Sequence, residues 1–273
     1  MSRTRGTAEV DGASLHFELA GEGRPLVLLH AGICDGRMWD GQFDALAERR
    51  RVVRYDRRGF GRTTQGAGAF SHAEDLDGLL GHLNLGRVTL VGCSQGAKIA
   101  LDFALMRPDV VEALVLVAPA VSGYTYRAAP PPQYEEIERA DAAGDVGRVN
   151  ELELQIWVDG PRRLPGEVDR GVRELVREMN LAALNASAGE ELPSGVEAAG
   201  RLCEVRAPTL VVVGDLDTPQ TLEAADALAR GIHGARLEVI SGTAHLPNME
   251  RPEEFNRVLL GFLDDPGGGP EDR

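Results

Sequence analysis

Between residues 25 and 117, short and solidly apolar runs alternate with amphipathic stretches of helical period. That alternation restricts what this chain can become. The runs Pro25–His30, Arg51–Asp56, Arg87–Gly92 and Glu112–Val117 suit strands covered on both faces, which cannot alternate polar and apolar residues. The stretches between them, Met38–Glu48, Ser71–Leu85 and Gly96–Met106, read as helices. The last stops at Arg107-Pro108, because the residue before a proline resists the helical region. Strands separated by such helices pair in parallel through right-handed crossovers. Upstream, Glu9–Val10 and Leu15–Leu19 flank Asp11-Gly12, the pattern of a hairpin. The grammar returns late in the chain, with strands at Pro208–Val213 and Arg236–Ile240 and helices at Leu222–Arg230 and Pro252–Leu263. The expected class is α/β, a mostly parallel central sheet flanked by helices.

Residues 121–205 break this order. They hold helix-like, Glu- and Arg-rich segments at Gln133–Ala142, Val146–Trp157 and Val168–Leu184 and no clear strand. The expected organisation is a core formed by 8–120 and 206–264, a helical cap at 121–205 inserted between sheet strands, and a flexible acidic tail at 265–273.

Composition narrows the partners. Lys+Arg 29 against Asp+Glu 43 gives a net charge of −14, which repels phosphate backbones and anionic lipid surfaces. Lys98 is the only lysine, so no polylysine patch offsets this charge. No run of about 18 apolar residues is present to span a membrane. The polar start Met-Ser-Arg-Thr-Arg lacks the apolar core of a secretory signal. Cys34, Cys93 and Cys203 form neither a disulfide framework nor a metal-ligand spacing. The expectation is a cytoplasmic protein of small molecules, without nucleic acid, membrane, metal or cofactor. Oligomeric state leaves no signal in the sequence.

Three stretches fall at the carboxyl ends of expected strands, where open α/β sheets bind their ligands. Gly92-Cys93-Ser94-Gln95-Gly96 lies between a strand and a helix and reads as a nucleophile elbow. Its flanking glycines suit a turn too tight for side chains, and the first amides of the following helix favour negative charge. Val213-Gly214-Asp215-Leu216-Asp217 and Gly242-Thr243-Ala244-His245 follow later strands. Together they supply Ser, Asp and His in the chain order of one class of hydrolases. Ser94 is then the expected nucleophile and His245 the base. Asp217 is the acid that fixes the imidazole tautomer, because three residues past Gly214 the chain has left the sheet; Asp215 braces the loop. A fourth stretch, Leu28-Leu29-His30-Ala31-Gly32-Ile33, is expected to give one oxyanion amide from Gly32, with His30 orienting the loop. The second amide is that of Gln95. Tyr124, Tyr126, Trp157 and Met179 in the cap are candidates for lining the pocket, although an apolar stripe on a cap helix is more often core. His16, His72, His82 and His233 are read as surface or packing residues.

These residues resemble the α/β-hydrolase superfamily from about residue 8 to residue 264. Tyr55-Asp-Arg-Arg-Gly-Phe-Gly-Arg62 is similar to its D-x-R-G-x-G-x-S segment, with Thr63 in the final place. Gly242–Phe255 is similar to its terminal histidine loop and helix. The nearest subgroups are small bacterial esterases, lactonases, 3-oxoadipate enol-lactonases and cofactor-free haloperoxidases. The loop reads His-Ala-Gly where many members have His-Gly, and it lacks the glycine run of C–C hydrolases. A serine at 94 argues against haloalkane dehalogenases and epoxide hydrolases, which need a carboxylate there. The resemblance implies hydrolysis of a small ester or lactone. C–C bond hydrolysis of ring-cleavage products and a ligand sensor that keeps the pocket are the alternatives.

Overall fold

The computed structural model describes residues 3–64, 66, 68–186 and 189–266. Strands β1 (Arg3–Val10) and β2 (Ala13–Ala20) form the expected hairpin, turning at Asp11 and Gly12 with positive φ at both. The sheet thus begins at Arg3, ahead of the expected edge at residue 8. There follow β3 (Pro25–Leu29), helix α1 (Asp40–Ala47), β4 (Arg51–Tyr55), α2 (His72–His82), β5 (Val88–Cys93), α3 (Gln95–Met106) and β6 (Val111–Val117). Helices α4 (Tyr134–Ala142), α5 (Val146–Leu154) and α6 (Arg170–Leu184) come next. The chain then returns to the sheet through β7 (Thr209–Gly214), α7 (Pro219–Gly231), β8 (Arg236–Ile240), the short α8 (Pro247–Glu250) and α9 (Pro252–Asp264). Most of the tail expected from residue 265 lies outside the described residues.

The sheet order is β1-β2-β4-β3-β5-β6-β7-β8. The β1–β2 and β2–β4 pairs are antiparallel and every later pair is parallel. Alternate residues of each central strand serve two cores. Val27, Leu29, Val53, Leu90, Leu114 and Leu116 pack under α2, α3 and α7. Leu26, Leu28, Val52, Val91, Val115 and Val117 pack against α1 and α9. Double coverage explains why these strands read as continuous apolar runs. Strand order reverses between β3 and β5, so a crevice opens at their carboxyl ends.

The helices between β6 and β7 bury part of their apolar surface in the second core, through Leu154, Val158, Val168, Val176 and Met179. Helix α5 runs on into one π-helical turn, Gln155–Asp159. Arg173 clamps this turn to α5 and α6, donating to Asp159 at 2.9 and 3.0 Å and to Glu151 at 2.7 Å. No helix among the described residues is long and apolar enough to cross a membrane.

Candidate active site

Ser94 sits between β5 and α3 with φ 55° and ψ −114°, a region costly to a residue with a side chain. Close packing enforces it. A Cβ on Gly92 would lie 2.3 Å from the Gly96 carbonyl oxygen, and one on Gly96 would lie 2.4 Å from that of Leu29. The Ser94 amide donates to Val117 O at 2.8 Å, while its carbonyl accepts from Lys98 N at 3.0 Å and starts the helix. Gln95 is the first residue of α3, so its amide has no partner within the helix.

The Asp and His loops meet one another at the ends of β7 and β8. A Cβ on Gly214 would come within 2.2 Å of Thr243 O and 2.3 Å of Ala244 O, so only glycine allows the approach. Leu216 N donates to Thr243 O at 2.9 Å. Fully buried Asp217 receives His245 Nδ1–H at 2.9 Å on Oδ2 and 3.1 Å on Oδ1, and its own neighbour's amide, Thr218 N, at 2.6 Å. Asp215 instead accepts from Ser241 Oγ at 2.9 Å and Gly242 N at 2.6 Å, bracing the loop. The Cys93 thiol reaches the His245 carbonyl at 3.7 Å, which seats His245 beside the residue that precedes Ser94. Among the described residues Ser94 Oγ makes no hydrogen bond to the imidazole. Such contacts often close only when substrate is bound.

The loop after β3 is held from within by His30. The His30 ring is wholly buried; its Nε2 accepts from Arg57 N at 3.0 Å, so Nδ1 carries the proton given to Ala31 O at 2.8 Å. Burial first, then the nearby Arg57 charge, holds this imidazole well below its ordinary pKa and therefore neutral. Arg57 was not singled out in the sequence. Its guanidinium is fully buried, donates to Ala31 O at 3.2 Å and Gln95 Oε1 at 2.9 Å, and stacks over Phe60 at 4.5 Å. No carboxylate pairs with it among the described residues, and burial pushes its pKa down to about 10. Arg58 by contrast forms a bidentate pair with Asp75, at 2.8 and 2.7 Å. Asp56 accepts from Gly36 N and Arg62 N, both at 2.8 Å, tying the loops after β3 and β4 together.

Of the four pocket candidates, Trp157 lies against the His245 ring, with centroids 4.5 Å apart. Met179 accepts from Asp35 N through Sδ at 3.4 Å. Tyr124 and Tyr126 meet edge to face, with centroids 5.0 Å apart, and Tyr124 Oη donates to Glu223 at 3.3 Å. They belong to the packing around α7, the core alternative of the expectation. No group of three or more His, Cys, Asp or Glu side chains spaced for a metal occurs among the described residues.

The sequence profile described as the alpha/beta hydrolase family matches residues 26–258, a span that contains the elbow and both loops. The chain belongs to the alpha/beta hydrolase family. It is 32% identical over 271 residues to the provisionally named carbamate hydrolase RutD of Rhizobium rhizogenes, covering 91% of this chain and 97% of that one. Two solved structures superpose over nearly their whole length. One is Est816, described as an N-acyl homoserine lactone degrading enzyme, with 29% identity, a TM-score of 0.77 and coverage of 94% of this chain and 99% of that one. The other is a thermophilic esterase from Thermogutta terrifontis, with 26% identity, a TM-score of 0.77 and coverage of 98% and 100%.

Proposed function

We propose that the protein hydrolyses small carboxylic esters or lactones through an acyl-enzyme on Ser94, with His245 as base and Asp217 as the acid that orients it. The observation that carries this reading is the buried Asp217–His245 pair, tied through the His245 carbonyl to the neighbour of a serine on a strained turn. Relatedness to an esterase and a lactone-degrading enzyme supports the substrate class.

With its Nδ1 proton held by Asp217, His245 keeps a lone pair on Nε2. Nε2 takes the Ser94 hydroxyl proton as Oγ bonds to the substrate carbonyl carbon. The carbonyl π pair moves onto oxygen, where the Gly32 and Gln95 amides stabilise it. The tetrahedral species collapses by breaking the bond to the alcohol oxygen, which leaves with the proton from His245. A lactone breaks the same bond but keeps the alcohol on the acyl chain. Water then gives a proton to His245 and its oxygen to the acyl carbon, and Ser94 Oγ departs with that proton. No electron carrier enters this cycle.

The loop after β3 supports Gly32 as a donor. Ala31 O receives hydrogen bonds from His30, Arg57 and Cys34 N. In a trans peptide the N–H of Gly32 points opposite to that carbonyl, away from the Arg57 guanidinium. Donation to the carbonyl also polarises the peptide and strengthens its N–H as a donor. We place residues 121–205 as a cap whose Trp157 and π turn close the site, and the protein in the cytoplasm.

Turnover of a panel of short-chain esters and lactones tests this reading. Multiple turnover is expected, and Ser94→Ala should lower kcat on the order of 10⁶-fold. A single slow turnover would instead mark a ligand sensor, and turnover confined to ring-cleavage products a C–C hydrolase.

A further inference from the structure

A cavity of about 230 Å³ adjoins the oxyanion loop, lined by Gly32, Gln95, His72, Glu153, Asn180 and Glu191 among others. It is smaller than the roughly 300–1,000 Å³ of pockets for drug-sized ligands, so it takes a short group. Its wall sets polar side chains among apolar ones, Phe60, Phe70, Ala183 and Leu184, and the hydrogen-bonding capacity left on the polar ones can be counted. Arg58, the one guanidinium on the wall among the described residues, is spent on Asp75 and on the carbonyls of Val10 and Asp11. Gln95 Oε1 is taken by Arg57, which leaves its Nε2 as a donor. Asn180 gives Nδ2 to Asn150 Oδ1 at 3.0 Å and to Glu153 Oε2 at 2.7 Å, leaving its Oδ1 as an acceptor.

The ionisable groups complete the picture. Glu153 is half-buried, and burial, with the charge of Asp141 adding to it, raises its carboxyl pKa. Among the described residues no cation pairs with it; Asn180 is its hydrogen-bond partner. His72 is almost wholly buried and its Nδ1 has no partner. Burial, reinforced by the charges of Arg57, Lys98 and Arg58, pushes its imidazole down to about 2. Its 3.7 Å approach to Glu191 is therefore not an ion pair but a contact between a neutral ring and a carboxylate. The wall thus offers acceptors at Asn180, Glu153 and Glu191 and a donor at Gln95; the charge of Arg57 reaches its His72 and Glu191 side, whereas Glu153 has no cation beside it among the described residues.

We propose that this cavity is the subsite for the group attached to the reacting carbonyl, and that it selects a small uncharged group bearing both N–H donors and a carbonyl acceptor, a primary amide above all, over a carboxylate. The proposal rests on the serine-hydrolase reading, because Gly32 and Gln95 join the cavity to Ser94. An amide N–H₂ satisfies Glu153 and Asn180 Oδ1 while its carbonyl meets Gln95 Nε2. A carboxylate in the same place would set its charge against Glu153, beside which no cation lies among the described residues.

Three ethyl esters of equal acyl size provide the test: ethyl succinamate, ethyl 4-methylpentanoate and ethyl hydrogen succinate, followed by pH-stat near neutral pH. The amide ester should lead the alkyl ester in kcat/KM by about tenfold, the worth of a well-placed hydrogen bond, and lead the carboxylate by more. Glu153→Gln should shrink the amide-to-carboxylate ratio toward one. Should that variant fail to fold, the wild-type ranking still decides. Parallel labelling of wild-type Ser94 by a fluorophosphonate separates the two levels of the argument. Labelled enzyme that prefers the carboxylate or alkyl ester, hydrolyses none of the three, or keeps its ratio in Glu153→Gln overturns the subsite alone. Absence of both labelling and hydrolysis overturns the serine-hydrolase reading and the subsite with it.

Discussion

Asp215 and Asp217 stand one residue apart and meet different partners. Asp217 holds an imidazole, whereas Asp215 holds a hydroxyl and a backbone amide of the loop. Asp217→Asn should favour the wrong tautomer of His245 and lower kcat by roughly 10⁴-fold near neutral pH. Asp215→Asn should cost far less, since an amide oxygen still accepts one of its two hydrogen bonds. Steady-state kinetics of both variants checks this, and the reverse ranking would exchange their roles. In the proposed mechanism Arg57 would act at one remove from the reacting atoms, as a positioning residue that holds Ala31 and Gln95. Arg57→Met should lower kcat by about 10- to 100-fold, part of what an oxyanion donor contributes, with little change in KM. Arg57→Lys should restore some of it. Loss of thermal stability without that kcat loss would make Arg57 structural only. The turn at Ser94 and the contact of Asp217 with His245 were legible because each residue sits in a local signature at a strand end. Arg57 was not legible. Its meaning comes from burial and from partners 26 and 38 residues away in sequence, which no local pattern encodes.

At the scale of elements, the elbow depends on backbone passing within a few ångströms of backbone. Gly96→Ala would press a methyl against the Leu29 and His30 carbonyls, and Gly92→Ala against that of Gly96. Neither neighbour is a flexible side chain, so each substitution should cost about 1–3 kcal/mol or more. Differential scanning calorimetry should show a fall in Tm, on the order of 2–4 °C per kcal/mol for a chain approaching this size. A variant with unchanged Tm would mean that the turn relaxes easily. The strands and their flanking helices were readable because double burial writes itself as apolar runs. The π turn at Gln155–Asp159 was not, since it continues the periodicity of α5 and is fixed by Arg173 from α6. For the same reason the sequence left Tyr124 and Tyr126 between pocket and core, and they pack near α7. An apolar ring fits either place, and sequence does not say which face receives it.

For the whole molecule, two buried neutral histidines set a dependence on acid. Both His30 and His72 have pKa values depressed below the ordinary 6.5. Below pH 6.5 the unfolded chain takes up protons that the native state refuses, so their contribution to stability is present above that pH and lost as pH falls. The loss is up to about 1.4 kcal/mol per pH unit for each histidine. Urea unfolding between pH 7.5 and 5 should show His72→Gln losing less stability than wild type, the difference approaching one proton. Equal slopes in the two proteins would refute the burial argument for His72. The central claim, that this fold presents Ser94 as a nucleophile activated by His245, is tested most directly by intact-protein mass spectrometry after a fluorophosphonate. One adduct per chain is predicted, mapped to Ser94, with loss of ester hydrolysis in proportion to labelling and no adduct in Ser94→Ala. Undiminished hydrolysis by fully labelled enzyme, or an unlabelled Ser94 in active protein, would contradict it.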